Sequence, residues 1–268
     1  MSLDQFYTKD DIAKKYYLIL NNLINIQSFD HIIEPSAGKG SFFKLFPNNK
    51  RIGIDIDPKC DNIQKCNFFD FCPPNGKIIT IGNPPFGKNS SIAIKFFNEC
   101  AKWSEVIAFI IPRTFKRISV QNQLDLNFNL IYSEDLPLKP CCFEPNMNAK
   151  CCFQIWKKGE KRKKVVLPKT HKDFDFLLLG PKDKNNQPTP PENANFVLKA
   201  YGSNSGEIRS NNLEKLRPKS WHWIKSNIEV ELLKERFRKL DYSISKDTVR
   251  QDSIGQGEII KLYQELFN

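Results

Sequence analysis

Short runs of mostly apolar residues recur along the first 111 residues of this chain. Five of them are residues 32–33, residues 52–54, a run towards Phe68-Phe69, residues 78–81 and residues 106–111. Residues 91–97, between the last two runs, carry apolar side chains at helical spacing. Strands of a parallel sheet have this appearance because helices cover both of its faces. The pattern therefore predicts an α/β fold built on an open, mostly parallel sheet.

The remaining segments divide the chain into two regions. Apolar spacing predicts a helix within residues 10–26, and strands are expected near residues 130–131 and 152–156. A hydrophilic, lysine-rich stretch begins at Lys157, and we place a domain boundary there, between residues 1–156 and 157–268. Strand-like pieces and two helical segments predict a small α+β module in the second region, at residues 174–179, 195–201, 229–240 and 256–267.

The chain is basic, with a formal net charge of +11. Residues 157–268 hold 23 Lys and Arg against 15 Asp and Glu. Such an excess favours a polyanionic partner such as nucleic acid, although a solvated basic surface has the same composition. No apolar run reaches the roughly 20 residues of a membrane span, and the N-terminus lacks a signal-peptide pattern. We therefore expect a cytoplasmic protein with no membrane partner.

Eight cysteines raise the alternative of a metal site or a disulfide framework. No CxxC pair occurs, and the vicinal pairs Cys141-Cys142 and Cys151-Cys152 point to opposite faces if they lie on strands. We interpret the cysteines as reduced and mostly buried, and we expect no metal.

A glycine-containing turn lies where the first predicted strand should end and a helix should begin. Glycines there allow a sharp turn and close approach of the backbone to a ligand at the carboxyl edge of the sheet. The dinucleotide pattern GxGxxG is not met, since Phe43 stands at the third glycine's place. The residues of this turn that we assign to a cofactor site are Glu34, Pro35, Ser36, Ala37, Gly38 and Gly40.

Two acidic residues extend this site along the next strands. Asp55 ends the second apolar run, where a carboxylate can accept hydrogen bonds from both hydroxyls of a ribose, and Ile56 follows it. Asp70 and Phe71 end the third run and offer an acceptor and a ring to a purine. Each acid alone could be a turn residue or a helix cap. Together with the glycine turn they predict a nucleoside cofactor without a pyrophosphate.

The string Gly82–Asn89 follows the fourth predicted strand and comes close to the phosphate-binding pattern GxxxxGK[ST]. That loop holds phosphate with successive backbone N–H groups, which Pro84 and Pro85 do not have. Asn89 stands where the magnesium-binding hydroxyl belongs. A nucleotidase is therefore disfavoured.

The same loop suits an aromatic amine. Accepting hydrogen bonds from both N–H groups of adenine's amino nitrogen favours the pyramidal nitrogen of a transition state. The side-chain oxygen of Asn83 and the carbonyl of Pro84 are the two acceptors, and Pro84 and Pro85 stiffen the loop. Phe86 offers a face on which a base can stack, and a base in a duplex would have to be flipped out to reach it.

These motifs together resemble the amino-methyltransferases with an NPPF loop, which include DNA adenine methyltransferases. The resemblance covers roughly residues 5–156. It implies a Rossmann-like seven-stranded sheet with a reversed last hairpin and S-adenosylmethionine (SAM) as cofactor. It also implies that the segment ending at Thr8 closes over the methionine end of SAM, that Asn83 contacts both ligands, and that Phe143 forms a second wall for the target base.

The resemblance implies methyl transfer to the N6 amino group of adenine in DNA, with residues 157–268 recognising the target and with or without a partner restriction enzyme. Three alternatives stay open. They are an RNA methyltransferase acting on adenine or guanine, a protein glutamine methyltransferase, and a module that binds SAM and nucleic acid without catalysis.

Overall fold

A computed structural model of the chain describes residues 5–267. The chain forms two compact units, Met1–Lys164 and Val165–Asn268. The boundary falls at the end of the lysine-rich stretch, after Lys164, whereas the sequence pattern predicts it at the start, at Lys157. The reason is that the guanidinium of Arg162 donates hydrogen bonds to the carbonyls of Phe128, Gln121 and Asp125, which ties the stretch to the first unit.

The revised boundary changes where the positive charge lies. Residues 157–164 contain six Lys and Arg and one Glu. With them the first unit holds 24 Lys and Arg against 16 Asp and Glu, and the second unit holds 17 against 14. Most of the basic excess therefore belongs to the first unit and not to the C-terminal module.

The first unit is built on a seven-stranded sheet. Its strands are β2 (His31–Pro35), β3 (Arg51–Asp55), β4 (Ile63–Lys65), β5 (Ile78–Gly82), β6 (Val106–Pro112), β7 (Phe128–Asp135) and β9 (Cys151–Lys158), in the order β4-β3-β2-β5-β6-β9-β7. Six of the seven strands run in one direction, and β9 runs antiparallel to both of its neighbours, β6 and β7. This confirms the predicted Rossmann-like α/β sheet with a reversed last hairpin.

Two short strands, β1 (Tyr7–Thr8) and β8 (Phe143–Glu144), pair separately from this sheet. The α-helices of the unit are α1 (Asp10–Leu23), α2 (Ser91–Cys100) and the one-turn α3 (Ile118–Gln121). Every residue of β6 is buried, as the apolar runs predicted for central strands. No helix among the described residues is long and apolar enough to cross a membrane.

The segments after β2 and β3 differ from the predictions. The glycine turn leads into a short 3-10 helix, Phe43–Leu45, in place of an α-helix, because Pro47 holds Phe46 in an extended conformation. The third strand ends at Lys65, earlier than expected, and Phe68–Asp70 form another 3-10 helix. Asn67 caps this helix by accepting a hydrogen bond from the Phe69 amide.

The second unit is an α+β module, as predicted. A four-stranded antiparallel sheet in the order β10-β13-β11-β12 comprises β10 (Phe174–Phe176), β11 (Phe196–Lys199), β12 (Ile208–Arg209) and β13 (Trp221–Ser226). Helices α4 (Val230–Arg238) and α5 (Gln256–Phe267) pack on its apolar core. The inner strand β13 was not predicted, although its buried Trp221 and Trp223 alternate with the half-buried His222.

All eight cysteines are free. Cys100, Cys142, Cys151 and Cys152 are buried, as expected for small apolar side chains, whereas the other four are half-buried or exposed. Burial raises the pKa of the Cys100 and Cys151 thiols, which keeps them protonated.

Candidate active site

The site lies where the order of the sheet changes direction. Strands β2 and β5 are adjacent and parallel, and the chain continues from β2 to β3 on one side and from β5 to β6 on the other. The carboxyl ends of parallel strands meet at one edge, and ligands bind in the crevice at such a switch point. The glycine turn after β2 and the Asn83 loop after β5 are therefore neighbours.

The glycine turn is shaped by left-handed backbone conformations, with φ values of 54° at Ser36, 51° at Gly38 and 73° at Gly40. A Cβ atom at Gly38 would lie 2.7 Å from the ring of Tyr7, so only glycine fits beneath that ring. The amide of Ala37 donates to the carbonyl of Ile54 over 2.9 Å and fastens the turn to β3.

Asp55 is buried at the end of β3, and its carboxylate accepts backbone hydrogen bonds from the glycine turn and from Asp57. One carboxylate oxygen accepts the Gly38 N–H and the other accepts the Asp57 N–H, each over 2.7 Å. A carboxylate has about four acceptor positions, so each oxygen of Asp55 can take one further donor. The adjacent Ile56 is 54% exposed, which leaves an apolar side chain open beside the carboxylate.

Glu34 is buried at the end of β2 and lines the same cleft as Ser36 and Ala37. It accepts a hydrogen bond of 2.6 Å from the Phe43 amide. Burial raises the pKa of this carboxyl well above its ordinary value, and the negative charge of Asp55 adds to the shift. Glu34 thus holds the chain that leaves the turn. Pro35, which precedes the turn, is also buried.

The Asn83 loop presents an acceptor that has no partner. The side-chain nitrogen of Asn83 donates to the backbone carbonyl of Phe6 over 3.2 Å. Its side-chain oxygen Oδ1 is buried and has no hydrogen-bond partner within residues 5–267. An unpaired buried acceptor costs free energy, so this atom is poised for an N–H donor from outside the protein chain.

The rest of the loop bends sharply into α2. Pro84 is buried, Pro85 is exposed and Phe86 is half-buried. The Phe86 carbonyl accepts the amides of Ile92 and Ala93, which fixes its backbone to the start of the helix. Non-glycine residues at positive φ follow, Asn89 at 52° and Ser90 at 62°, and such strain is typical of functional loops.

An N-terminal strap, residues 6–8, covers the turn. Its strand β1 pairs with β8, with Thr8 opposite Phe143. The Ser41 hydroxyl donates to the Thr8 carbonyl over 2.7 Å, while the Thr8 hydroxyl is buried without a partner in the described part of the chain. Lys39 lies 5.0 Å from the centre of the Tyr7 ring. Ser41 and Lys39 also line the cleft and were not assigned to it from the sequence. Lys39 stands between the two glycines of the turn, whereas no pattern marks Ser41.

Three predicted residues lie apart from these contacts. Asp70 is exposed on the 3-10 helix after β4, and its carboxylate accepts a hydrogen bond of 3.0 Å from Asn67. Phe71 is half-buried and packs against the apolar core. Phe143 is only 3% exposed, so its ring is not open to a base.

No family model and no curated protein matches the sequence. Among solved structures, the chain is similar to a candidate RNA methyltransferase from Pyrococcus horikoshii, with a TM-score of 0.45 and 16% identity, over 59% of this chain and 88% of that chain. It is also similar to 23S rRNA methyltransferase ErmE (TM-score 0.42, 13% identity, 58% of this chain and 70% of that chain). A dimethyladenosine transferase from Plasmodium falciparum is a further match (TM-score 0.42, 14% identity, 58% of this chain and 64% of that chain). At these values the similarity is informative about neither substrate nor cofactor, which must be inferred from the side chains of the site.

Proposed function

We propose that this protein transfers a methyl group from SAM to the exocyclic amino group of adenine in a nucleic acid, with DNA as the first candidate polymer. The observation that carries the proposal is the unpartnered, buried Oδ1 of Asn83. Asn83 is the first residue of an Asn-Pro-Pro-Phe loop at the carboxyl edge of β5, and this loop lies beside the glycine turn after β2.

The residues around the turn fit SAM. The left-handed backbone at Ser36, Gly38 and Gly40 brings main-chain atoms close to the cleft, and Asp55 retains acceptor positions for ribose hydroxyls. The orphaned Thr8 hydroxyl can pair with the amino or carboxylate group of the methionine portion. When bound, SAM would supply an electrophilic methyl group and leave as the neutral thioether as its C–S bond breaks. The methylated amino group would release one proton to solvent, so the protein has to position and polarise the nucleophile.

Asn83 would orient the target amine. Its Oδ1 and the Pro84 carbonyl accept one hydrogen bond each from the two amino hydrogens, which draws the nitrogen lone pair out of conjugation with the ring. The Asn83 amide cannot rotate freely because its nitrogen is held by the Phe6 carbonyl. The acceptor is therefore fixed before the substrate binds, and this preorganisation lowers the barrier.

Phe86 would stack on the base and hold it in line with the methyl group. Its ring is partly accessible while its backbone is fixed to α2. A base can reach this position only from a single strand or after flipping from a duplex. Catalysis resides in the first unit in this proposal, and residues 165–268 contribute to recognition of the target.

A labelling experiment tests the proposal and its alternatives together. The full-length protein is incubated with methyl-labelled SAM and matched pools of DNA, RNA and protein, and the labelled product is identified by mass spectrometry. We expect N6-methyladenine in DNA from the wild type and none from Asn83→Ala. Label in RNA alone would show that the substrate is RNA and not DNA. Label on protein glutamine would overturn the proposal, and SAM binding without any methyl transfer would identify a non-catalytic module.

A further inference from the structure

A second charged feature lies outside the site, in the lysine segment, which we define as residues 157–164. Its five lysines (Lys157, Lys158, Lys161, Lys163 and Lys164) are all exposed. None of the five makes an ion pair with an acidic side chain within residues 5–267. Five lysines within eight residues repel one another electrostatically.

Two residues of the lysine segment, Gly159 and Arg162, tie it to the first unit. The Arg162 side chain turns inward, donating over 2.5 Å to the Phe128 carbonyl, and its guanidinium lies 5.3 Å from the centre of the Trp156 ring. Backbone hydrogen bonds of 2.8 Å add to this from Gly159 to Asn127 and from Arg162 to Leu126. Arg162 therefore anchors the segment, while all five of its lysines are exposed to solvent.

We infer that the lysine segment is a binding surface for the phosphate backbone of nucleic acid, separate from the catalytic cleft. The anchors at Gly159 and Arg162 keep five exposed lysines close together, and this proximity costs free energy through charge repulsion. Phosphates remove that repulsion and release their counterions on binding. That the polyanion is a nucleic acid rests on the proposed function, whereas the surface itself does not.

The position of the segment determines how long the nucleic acid must be. Lys157 pairs with Val106 at the start of β6, and Cys151 pairs with Pro112 at its end, which is the edge that carries the site. Six residue steps along β6 span about 20 Å at roughly 3.3 Å each. A duplex that reaches from the site to the lysine segment therefore needs about six base pairs beyond the target.

The test compares two full-length variants with the same loss of charge. In the first, the five lysines of the segment are changed to Gln. In the control, the five exposed lysines changed to Gln are Lys169, Lys172, Lys182, Lys184 and Lys225. Binding to labelled DNA and RNA of about 24 base pairs or nucleotides, four times the six-base-pair reach, is measured without SAM at salt concentrations from about 50 to 200 mM.

We expect the segment variant to bind nucleic acid at least about tenfold more weakly than the wild type. The slope of log affinity against log salt concentration should also be smaller in magnitude by about 3 to 4, because each lost phosphate contact reduces that slope by about 0.9. The control should change much less.

Equal losses in both variants, or no loss in the segment variant, would overturn the inference. Binding of the segment to phosphatidylserine vesicles but not to nucleic acid would overturn it as well, in favour of a membrane surface. Because binding is measured without SAM and without methyl transfer, its result does not depend on catalysis at Asn83. The inference can therefore fail, or hold, independently of the proposed catalysis.

Discussion

The side-chain nitrogen of Asn83 donates a 3.2 Å hydrogen bond to the backbone carbonyl of Phe6, 77 residues earlier in the chain. This bond decides which end of the amide is free, because it occupies the nitrogen and leaves Oδ1 as the unpartnered atom. The strap over the glycine turn and the loop after β5 are thereby joined. A change in the strap should alter the acceptor geometry at Asn83.

Asn83→Asp and Asn83→Ala should separate the two roles of this side chain. Aspartate keeps an acceptor oxygen but cannot donate to Phe6, whereas alanine loses both. We expect alanine to lower single-turnover methyl transfer by about two to three orders of magnitude, and aspartate by clearly less. SAM affinity, measured by calorimetry, should fall only a few-fold in each. Equal losses of turnover would show that the bond to Phe6, and not the acceptor, matters.

Gly38→Ala should weaken SAM binding by displacing the strap. The new Cβ would lie 2.7 Å from the Tyr7 ring, so the ring must move. Gly202 is a matched control because it also has a positive φ, of 92°, but a Cβ atom added there would meet nothing within 4 Å. Both changes should cost about 1 kcal/mol or more in stability through backbone strain. Only Gly38→Ala should lower SAM affinity as well, and an equal effect of Gly202→Ala would contradict this.

Phe86 variants distinguish base stacking from simple packing. Phe86→Trp and Phe86→Tyr keep a flat aromatic face and should retain much of the activity. Phe86→Leu should cost roughly 1–3 kcal/mol in methyl transfer, the range for base–aromatic stacking, without a matching fall in melting temperature. If the ring is only packing, leucine will be tolerated and tryptophan will destabilise the fold. Turnover and melting temperature of the same three proteins decide between these outcomes.

Glu34 should make stability depend on pH. Burial raises the pKa of this carboxyl in the folded state, so the folded protein binds the proton more tightly than the unfolded chain does. Its contribution to stability is present below the ordinary pKa of about 4.3 and is lost as pH rises through the folded pKa. Glu34→Gln keeps an acceptor for the Phe43 amide and does not titrate.

Urea unfolding of the wild type and Glu34→Gln over a series of pH values checks this prediction. The stability of the glutamine variant relative to the wild type should increase with pH, by up to about 1.4 kcal/mol per unit within the window between the two pKa values. Parallel stability curves would mean that Glu34 has the same pKa in both states.

Much of the fold follows from local patterns. Apolar runs are sufficient to locate β2, β3, β5 and β6 because a buried strand must be apolar on both faces, whatever lies around it. Helix spacing located α2 and α5 for a similar reason. The pattern was less informative after β3, where Phe68 and Phe69 were assigned to a strand and form a 3-10 helix, since a short apolar run does not distinguish the two.

The candidate site also has one part that the sequence predicts and another that depends on tertiary contacts. The sequence by itself determined which groups stand at the carboxyl edge, since the glycine turn and the Asn83 loop each follow a strand directly. Only the tertiary structure decided which of their atoms remain free. The Phe6 carbonyl selects the free end of the Asn83 amide, the Gly38 amide occupies part of Asp55, and Arg162 assigns the lysine segment to the first unit. Each of these outcomes depends on a hydrogen bond between residues that are far apart in the sequence. The local periodicity of the sequence does not predict such pairs.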